Sequence, residues 1–270
     1  LPYTPVIEGR AVTAMRLRSA HVSAVMAVWV CAMSVPLTTI CAQDSVPSTY
    51  IAFAESRDTR RATVSLVNPA TGATSSVGSQ ELKPFGFLAA PTWSPDGTAI
   101  AVTASPPRGH YDLFILPRNG ADAIQVTHDA LEELHPAWSP DGQRLAFSIL
   151  PREGAEAGVY TIGVDGTNLT LLTDPSVEAQ DPSWSPDGSK IAFTLPTAGD
   201  RFSSAVAVMD SDGSNVVVLT PTHHSTGAAA WSPDGSHIAY MSDQGGRGGI
   251  YVMGSDGGAA RQITGSGWWP

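Results

Sequence analysis

The pentapeptide Trp93-Ser94-Pro95-Asp96-Gly97 decides the fold, because the same five letters return three more times along the chain. The copies begin at Trp93, Trp138, Trp184 and Trp231, at intervals of 45 to 47 residues. A period of this length is typical of propellers, solenoids and other arrays of repeated units. The structural residues of the repeat are then the tryptophan, aspartate and glycine of each copy: Trp93, Asp96, Gly97, Trp138, Asp141, Gly142, Trp184, Asp187, Gly188, Trp231, Asp234 and Gly235.

Each letter of the pentapeptide suits a tight turn that follows a strand. Proline presets φ at the second turn position, aspartate is favoured at the third, and glycine takes the left-handed conformation that closes the turn. Tryptophan is large enough to fill the boundary between two layers. The repeat therefore predicts a hairpin turn after a Trp-bearing strand.

Three apolar runs follow each turn, and a second glycine turn separates the last two. In the first copy the runs are 100–102, 113–116 and 124–127, with the hairpin signal Asn119-Gly120 between the last two. One unit is thus four antiparallel strands with apolar residues on both faces, which cannot stand alone because one face would be wet. Radial stacking buries both faces, so the sequence predicts an all-β chain: a β-propeller of four-stranded antiparallel blades.

The residues before Trp93 fit the same pattern without a Trp turn. Their runs are 50–53, 63–67 and 74–77, with a glycine turn at Gly72. This predicts five blades within a propeller domain at 48–270, and the first blade lacks its innermost strand. The predicted blades are approximately 48–80, 88–128, 134–174, 180–221 and 227–264.

The last residues raise the question of how many blades close the ring. Trp268 and Pro270 repeat the first and third letters of the pentapeptide. Either this segment supplies the missing innermost strand of the first blade, or the chain is a fragment of a six-bladed propeller. We favour the fragment.

The repeat consensus is [HDA]-P-x-W-S-P-D-G-x-x-[IL]-A-[FY], followed by I-Y-V-M, D-G-x-N and L-T. It resembles the WD40-like propeller repeat of the TolB type over about residues 48 to 264. The resemblance implies a propeller with the Trp strand innermost, exposed loops on one face and tight turns on the other. It leaves function open, because such propellers occur as envelope scaffolds, as gating domains of serine peptidases and as sugar-processing lyases. A TolB protein would also have an α/β domain before its propeller, whereas in this sequence only a few residues separate the predicted signal from the first predicted strand.

The N-terminal segment predicts export. Met15 is followed by Arg16 and Arg18 and then by an uncharged stretch, 22–42, rich in Val, Ala and Met. A basic start and an apolar centre are typical of a bacterial secretory signal, so we interpret 15–42 as a signal peptide and 1–14 as translated upstream sequence. The alternative is an uncleaved membrane anchor. The predicted location is the periplasm or the cell exterior.

Motifs for catalysis are missing from the sequence. It contains no G-x-S-x-G and no H-E-x-x-H, and its seven histidines do not recur in phase with the repeat. We therefore predict a non-enzymatic scaffold without a cofactor. The alternative is the propeller portion of a larger prolyl-oligopeptidase-like hydrolase or of a lyase.

Most of the basic residues of the predicted propeller fall on one kind of loop, between the second and third strands of each unit. Loops on such a scaffold commonly carry binding residues. One interpretation is a basic surface for a carboxylate or other anionic partner, and the other, which we favour, is pairing with local acids. The candidate binding residues are Arg57, Arg108, Arg152, Arg201 and Arg247.

Connections between units add a second candidate on the same face. His135 and Asp181 lie three residues before Trp138 and Trp184, so they should sit on adjacent blades near the channel mouth. A metal site is conceivable with these ligands, but only two of the four equivalent positions could bind a metal. We therefore predict solvated rim residues and no metal.

The predicted partner is a protein, peptide or glycan bound at the loop face. The formal net charge of −10 argues against nucleic acid, for which a basic surface is expected. The membrane would be contacted only through an uncleaved N-terminal segment. Cys31 and Cys41 both precede the predicted propeller, so disulfides play no part in its stability.

Overall fold

The computed structural model describes residues 51–58, 61–68, 71–77, 87–105, 110–129, 131–151, 155–246 and 248–264. These residues form five antiparallel sheets, each built from strands consecutive in the chain. The strands are β1 (Ile51–Asp58), β2 (Arg61–Val67), β3 (Thr74–Ser76), β4 (Phe87–Trp93), β5 (Ala99–Ser105), β6 (Asp112–Pro117), β7 (Ile124–Gln125), β8 (Glu133–Trp138), β9 (Arg144–Ile149), β10 (Gly158–Gly163), β11 (Thr170–Leu171), β12 (Gln180–Trp184), β13 (Lys190–Thr197), β14 (Asp200–Asp210), β15 (Val217–Val218), β16 (Thr226–Trp231), β17 (His237–Ser242), β18 (Gly249–Gly254) and β19 (Arg261–Gln262).

The predicted propeller is confirmed. Blade 1 is the three-stranded sheet β1–β3, and blades 2 to 5 are the four-stranded sheets β4–β7, β8–β11, β12–β15 and β16–β19. The first strands of successive four-stranded blades lie against one another, so the Trp-bearing strands are innermost. Within the described part of the chain no helix is long or apolar enough to cross a membrane.

The WSPDG turns gain their rigidity from the serine, whose role the sequence had left unassigned. In the second copy the Ser139 hydroxyl donates to Asp141 Oδ1 at 2.5 Å and accepts the Arg144 N–H at 2.9 Å. In the third copy, hydrogen bonds from Ser185 and Ser189 hold the pKa of Asp187 at about 2. The turn carboxylate is therefore ionised because it is fully occupied as an acceptor inside its own turn.

The tryptophans connect blades as well as fill the boundary between them. Trp138 Nε1 donates to the Thr92 carbonyl of the preceding blade at 3.2 Å, and Trp231 Nε1 donates to Ser183 in the same way. The Arg144 guanidinium lies 4.7 Å from the ring centre of Trp184, a cation–π contact. The innermost strands of blades 3 to 5 are thus each attached to the preceding blade by a side-chain hydrogen bond or a ring contact.

The outermost strands are shorter than the sequence predicts. The repeat that places the fourth run of blade 2 at 124–127 places that of blade 3 at 169–173, yet β11 pairs only Thr170 and Leu171 with β10. The reason is that the Thr173 hydroxyl, rather than a backbone carbonyl, accepts the Val159 N–H at 3.0 Å. The threonines that close the other blades do the same, at Thr127, Thr220 and Thr264.

Apolar residues fill the interface between each pair of successive blades. Ala239, Ile250 and Val252 of blade 5 occupy the positions that face the next blade, and they are only half-buried. The equivalent side chains of blades 2 to 4 are fully buried or nearly so: Ala101, Leu113, Ile115, Ala146, Val159, Thr161, Ala192, Val206 and Val208. The predicted closing segment at Trp268 lies outside the described residues, as does the predicted N-terminal signal.

Candidate functional site at the innermost strands

A β-bulge interrupts the innermost strand of every four-stranded blade. The pairing of β8 with β9 shifts register between Leu134 and Ala137, and β4, β12 and β16 shift at the same repeat position. The bulged residue has a left-handed backbone in each case, with φ of 48° to 55°, at Ala90, His135, Asp181 and Ala228. A non-glycine residue in this conformation is uncommon, and bulges redirect side chains near functional sites.

Two of the four bulges carry polar side chains, and the structure brings these together. His135 Nδ1 lies 2.8 Å from Asp181 Oδ1, with 36% and 28% of the two side chains exposed. The oxygen lies off the direction of the ring N–H, so the contact is an ion pair rather than an aligned hydrogen bond. The second oxygen of Asp181 accepts the Thr194 hydroxyl at 3.0 Å.

The electrostatics of the pair favour the charged form of both partners. Burial acts against the Asp181 carboxylate, but His135 and Thr194 outweigh it and hold the pKa of Asp181 below its ordinary value. Burial likewise acts against the imidazolium, yet Asp181 raises the pKa of His135 above its ordinary value. Both side chains are therefore charged at any pH between the pKa of Asp181 and the pKa of His135. Each partner widens this pH interval, because it shifts the pKa of the other away from it.

Hydroxyl groups of one blade support the bulge of the next. Ser148 of β9 accepts the Asp181 N–H at 3.1 Å, and Thr194 of β13 accepts the Ala228 N–H at 3.2 Å. The equivalent residue in blade 5 is Met241, which has no hydroxyl. Because Thr194 contacts both Asp181 and the next bulge, the polar pair is part of a network that spans blades 3 to 5.

The predicted arginine surface is largely beyond what the structure describes. Arg108, Arg152 and Arg247 lie outside the described residues. Arg57 and Arg201, which were expected on loops, belong to strands β1 and β14 because the hairpins that contain them extend further than the repeat suggested. Their role in binding stays a prediction.

The long hairpin of blade 4 displays residues that the sequence did not single out. Phe202 near its tip is 87% exposed, and Asp200 holds the turn by accepting the Phe202 N–H at 3.0 Å and the Ser203 hydroxyl. The rings of His223 and His224 lie beside this hairpin with their centres 4.2 Å apart. Residues 148–158 of blade 3 and 194–204 of blade 4 separate the second and third apolar runs by the same length, so the run spacing carries no signal for this extension.

The described residues contain no cluster of side chains suited to a metal ion. No three His, Cys, Asp or Glu side chains among them are grouped so that they could hold a metal ion.

Comparison of the sequence with models of known protein families shows to which propeller family the chain belongs. The family model described as the TolB beta propeller domain matches residues 30–228 and 174–269. The chain belongs to the TolB β-propeller family. No curated protein sequence gives a significant match.

Solved structures agree on the propeller. A putative TolB from Agrobacterium tumefaciens is 20% identical with a TM-score of 0.64, and the alignment covers 75% of this chain and 76% of that protein. TolB from Acinetobacter baumannii is 25% identical with a TM-score of 0.63, covering 78% of this chain but half of that protein. An oligogalacturonate lyase from Vibrio parahaemolyticus, 16% identical with a TM-score of 0.58, is covered over 61% of its length by 80% of this chain. At such identities the lyase shows the fold alone.

Proposed function

We propose that this TolB-family chain is an exported, non-enzymatic binding propeller of the bacterial cell envelope, which holds a protein, peptide or glycan partner at its loop face. The observation that carries the proposal is the partly exposed His135–Asp181 pair on left-handed backbone at the innermost strands. Strained backbone persists where surrounding structure enforces it and clusters at binding sites. The family membership and the predicted export signal support the envelope role.

The arrangement of the pair suits recognition. Both carboxylate oxygens of Asp181 are engaged, by His135 and by Thr194, so Asp181 orients the ring. His135 Nε2 has no hydrogen-bond partner among the described residues, and in the imidazolium form it is a donor. A fixed N–H donor on the innermost strands fits a carboxylate, carbonyl or hydroxyl oxygen of a partner.

The proposal is tested with His135→Ala and with the control His237→Ala, an exposed histidine beside the WSPDG turn of blade 5. The full chain is used to recover partners from an envelope extract, and the affinity of each variant for the partner that the wild type recovers is then measured. We expect His135→Ala to bind at least about ten-fold more weakly, the loss of one charge-assisted hydrogen bond. The control should bind like the wild type.

Equal binding by His135→Ala and the wild type would refute the placement of the site. The scaffold role would be contradicted if the wild-type chain recovered no partner, or only proteins that an excess of free wild-type chain does not displace. Thermal melting of both variants distinguishes a binding defect from a folding defect.

A further inference from the structure

The junction of blades 2 and 3 departs from the repeat at two positions. Five residues before its tryptophan, blade 3 has Glu133. The other four-stranded blades have an apolar or small residue at this position: Leu88, Ala179 and Thr226. Where the third strand of the blade reaches the loop face, blade 2 has Asp112; the others have Gly158, Ala205 and Gly249. A repeat that twice places an acid at one junction, where the other blades have an uncharged residue, points to a specific role there.

Both acids are buried with too few donors. Glu133 is 0% exposed, and neither of its carboxyl oxygens has a hydrogen-bond partner among the described residues. Asp112 is 8% exposed, and Gln125 Nε2 donates to its Oδ2 at 3.1 Å while Oδ1 is unpartnered. Buried carboxylates without donors are costly, so the junction requires an added positive charge or a proton.

A proton satisfies the geometry. The Asp129 carboxyl lies beside Glu133 and can accept a hydrogen bond from it once Glu133 is protonated. The Leu131 N–H already donates to Asp129 Oδ1 at 2.8 Å. Burial first, and then Asp129 and Asp112, raise the pKa of Glu133 to about 9. Burial and Asp129 also raise the pKa of Asp112.

Titratable neighbours approach the junction from each adjoining element. The start of β6 and the residues before it contribute Asp112, His110 and Tyr111, and the connection to β8 contributes His128, Asp129 and Glu132. His110 Nδ1 lies 3.4 Å from Glu132 Oε1, so this histidine already faces another carboxylate. Strand β9 contributes the uncharged Ile149 opposite Glu133.

We propose that Glu133, protonated beside Asp112 and Asp129, acts as a proton latch that fixes the start of β8 against blade 2, and that loss of its proton releases it. With the proton present, the Glu133 side chain is neutral and the Glu133 N–H donates to the Tyr111 carbonyl at 2.9 Å. Without it, the buried Glu133 carboxylate has no donor and is repelled by Asp112 and Asp129, so residues 131–133 move toward water.

The latch acts on the His135–Asp181 pair, and this part of the inference rests on the function proposed above. Glu133 lies two residues before His135 on the same strand, so a shift at the start of β8 changes where the His135–Asp181 pair is held. The latch is closed at neutral pH and opens as the pH rises through the raised pKa of Glu133. Partner binding should weaken over the same interval.

Amide hydrogen exchange of the full chain from pH 6 to 10, corrected for the intrinsic exchange rate, tests the latch. In the wild type we expect protection of residues 131–135 to fall at least about ten-fold relative to the equivalent segment 177–181. Glu133→Gln, which cannot lose a proton, should keep its protection, as should Asp112→Asn to a smaller extent. The control Glu178→Gln, an exposed residue of the next connection, should behave like the wild type.

Equal loss of protection in Glu133→Gln and the wild type would overturn the latch, and so would constant protection in the wild type. The exchange measurement needs no partner, so its failure leaves the proposed binding role standing. A functioning latch in a chain whose His135→Ala variant binds normally would refute the binding role alone.

Discussion

Replacing Glu133 by glutamine should stabilise the protein at neutral pH and flatten its dependence on pH. The unfolded chain has an ordinary glutamate with a pKa of 4.5, whereas the folded chain holds Glu133 protonated up to about pH 9. At pH 7, keeping such a group protonated costs about 3 kcal/mol, since each pKa unit corresponds to roughly 1.4 kcal/mol. Glutamine has nearly the same shape and is neutral at every pH, so it removes this cost.

The sign follows from proton binding. Between pH 4.5 and about 9 the folded state binds more protons at Glu133 than the unfolded state does, so wild-type stability falls as the pH rises. The advantage of Glu133→Gln should therefore be near zero below pH 4.5 and grow toward a few kcal/mol at pH 7. Part of the gain is offset if the glutamine amide hydrogens lack acceptors.

Urea unfolding at pH 5, 6, 7 and 8, followed by tryptophan fluorescence, measures the difference directly. Glu178→Gln is the matched control, and its free energy of unfolding should stay within about 0.5 kcal/mol of the wild type at every pH. A Glu133→Gln variant that is destabilised equally at all four pH values would refute the argument. So would a wild-type stability that rises from pH 5 to 8 relative to the variant.

Two further substitutions test the architecture by thermal or urea unfolding. Gly213→Ala should destabilise the protein more than Gly72→Ala does. Both glycines have positive φ, but only at Gly213 would the new Cβ lie 2.6 Å from a backbone carbonyl oxygen, that of Leu172. Equal losses of stability in the two variants would show that the positive φ alone sets the cost. Thr173→Val should cost about 1–3 kcal/mol, since it leaves the buried Val159 N–H without an acceptor, whereas Thr170→Val in exposed β11 should be nearly neutral.

The repeat made the propeller predictable because its turn chemistry and strand period agree. Pro95, Asp96 and Gly97 dictate one turn conformation, and the apolar runs after it can be buried only by stacking. The three-stranded blade 1 was visible for the same reason, through the spacing from Gly72 to Gly120. Local signals and global packing therefore pointed to one fold.

The bulges were not predictable from sequence. Left-handed backbone is normally announced by glycine or asparagine, yet these positions carry Ala90, His135, Asp181 and Ala228. At Asp181 and Ala228 the conformation is supported by the preceding blade, whose Ser148 and Thr194 hydroxyls accept the two backbone N–H groups. The repeat placed His135 near Asp181, but the ion pair and its support by Thr194 depend on tertiary structure.

The burial of Glu133 was likewise not predictable from the sequence. Its neighbours along the chain, Glu132 and His135, give no sign that one carboxyl of this acidic run is buried while the other faces the His110 ring. Burial follows from the register of β8 on β9, where Glu133 lies opposite Ile149. A sequence can show that a polar residue breaks a pattern, but only packing shows what it costs.

The hydrogen bonds that the bulges and the tryptophans of blades 3 to 5 form with the preceding blade run in one direction along the chain. The donors, such as the Asp181 N–H and Trp231 Nε1, belong to the later blade, and their acceptors, Ser148 Oγ and the Ser183 carbonyl, belong to the earlier one. During synthesis from the N-terminus, each acceptor is therefore made before the donor that needs it. Each new blade therefore finds these acceptors already in place as it leaves the ribosome, and its innermost strand can dock onto them.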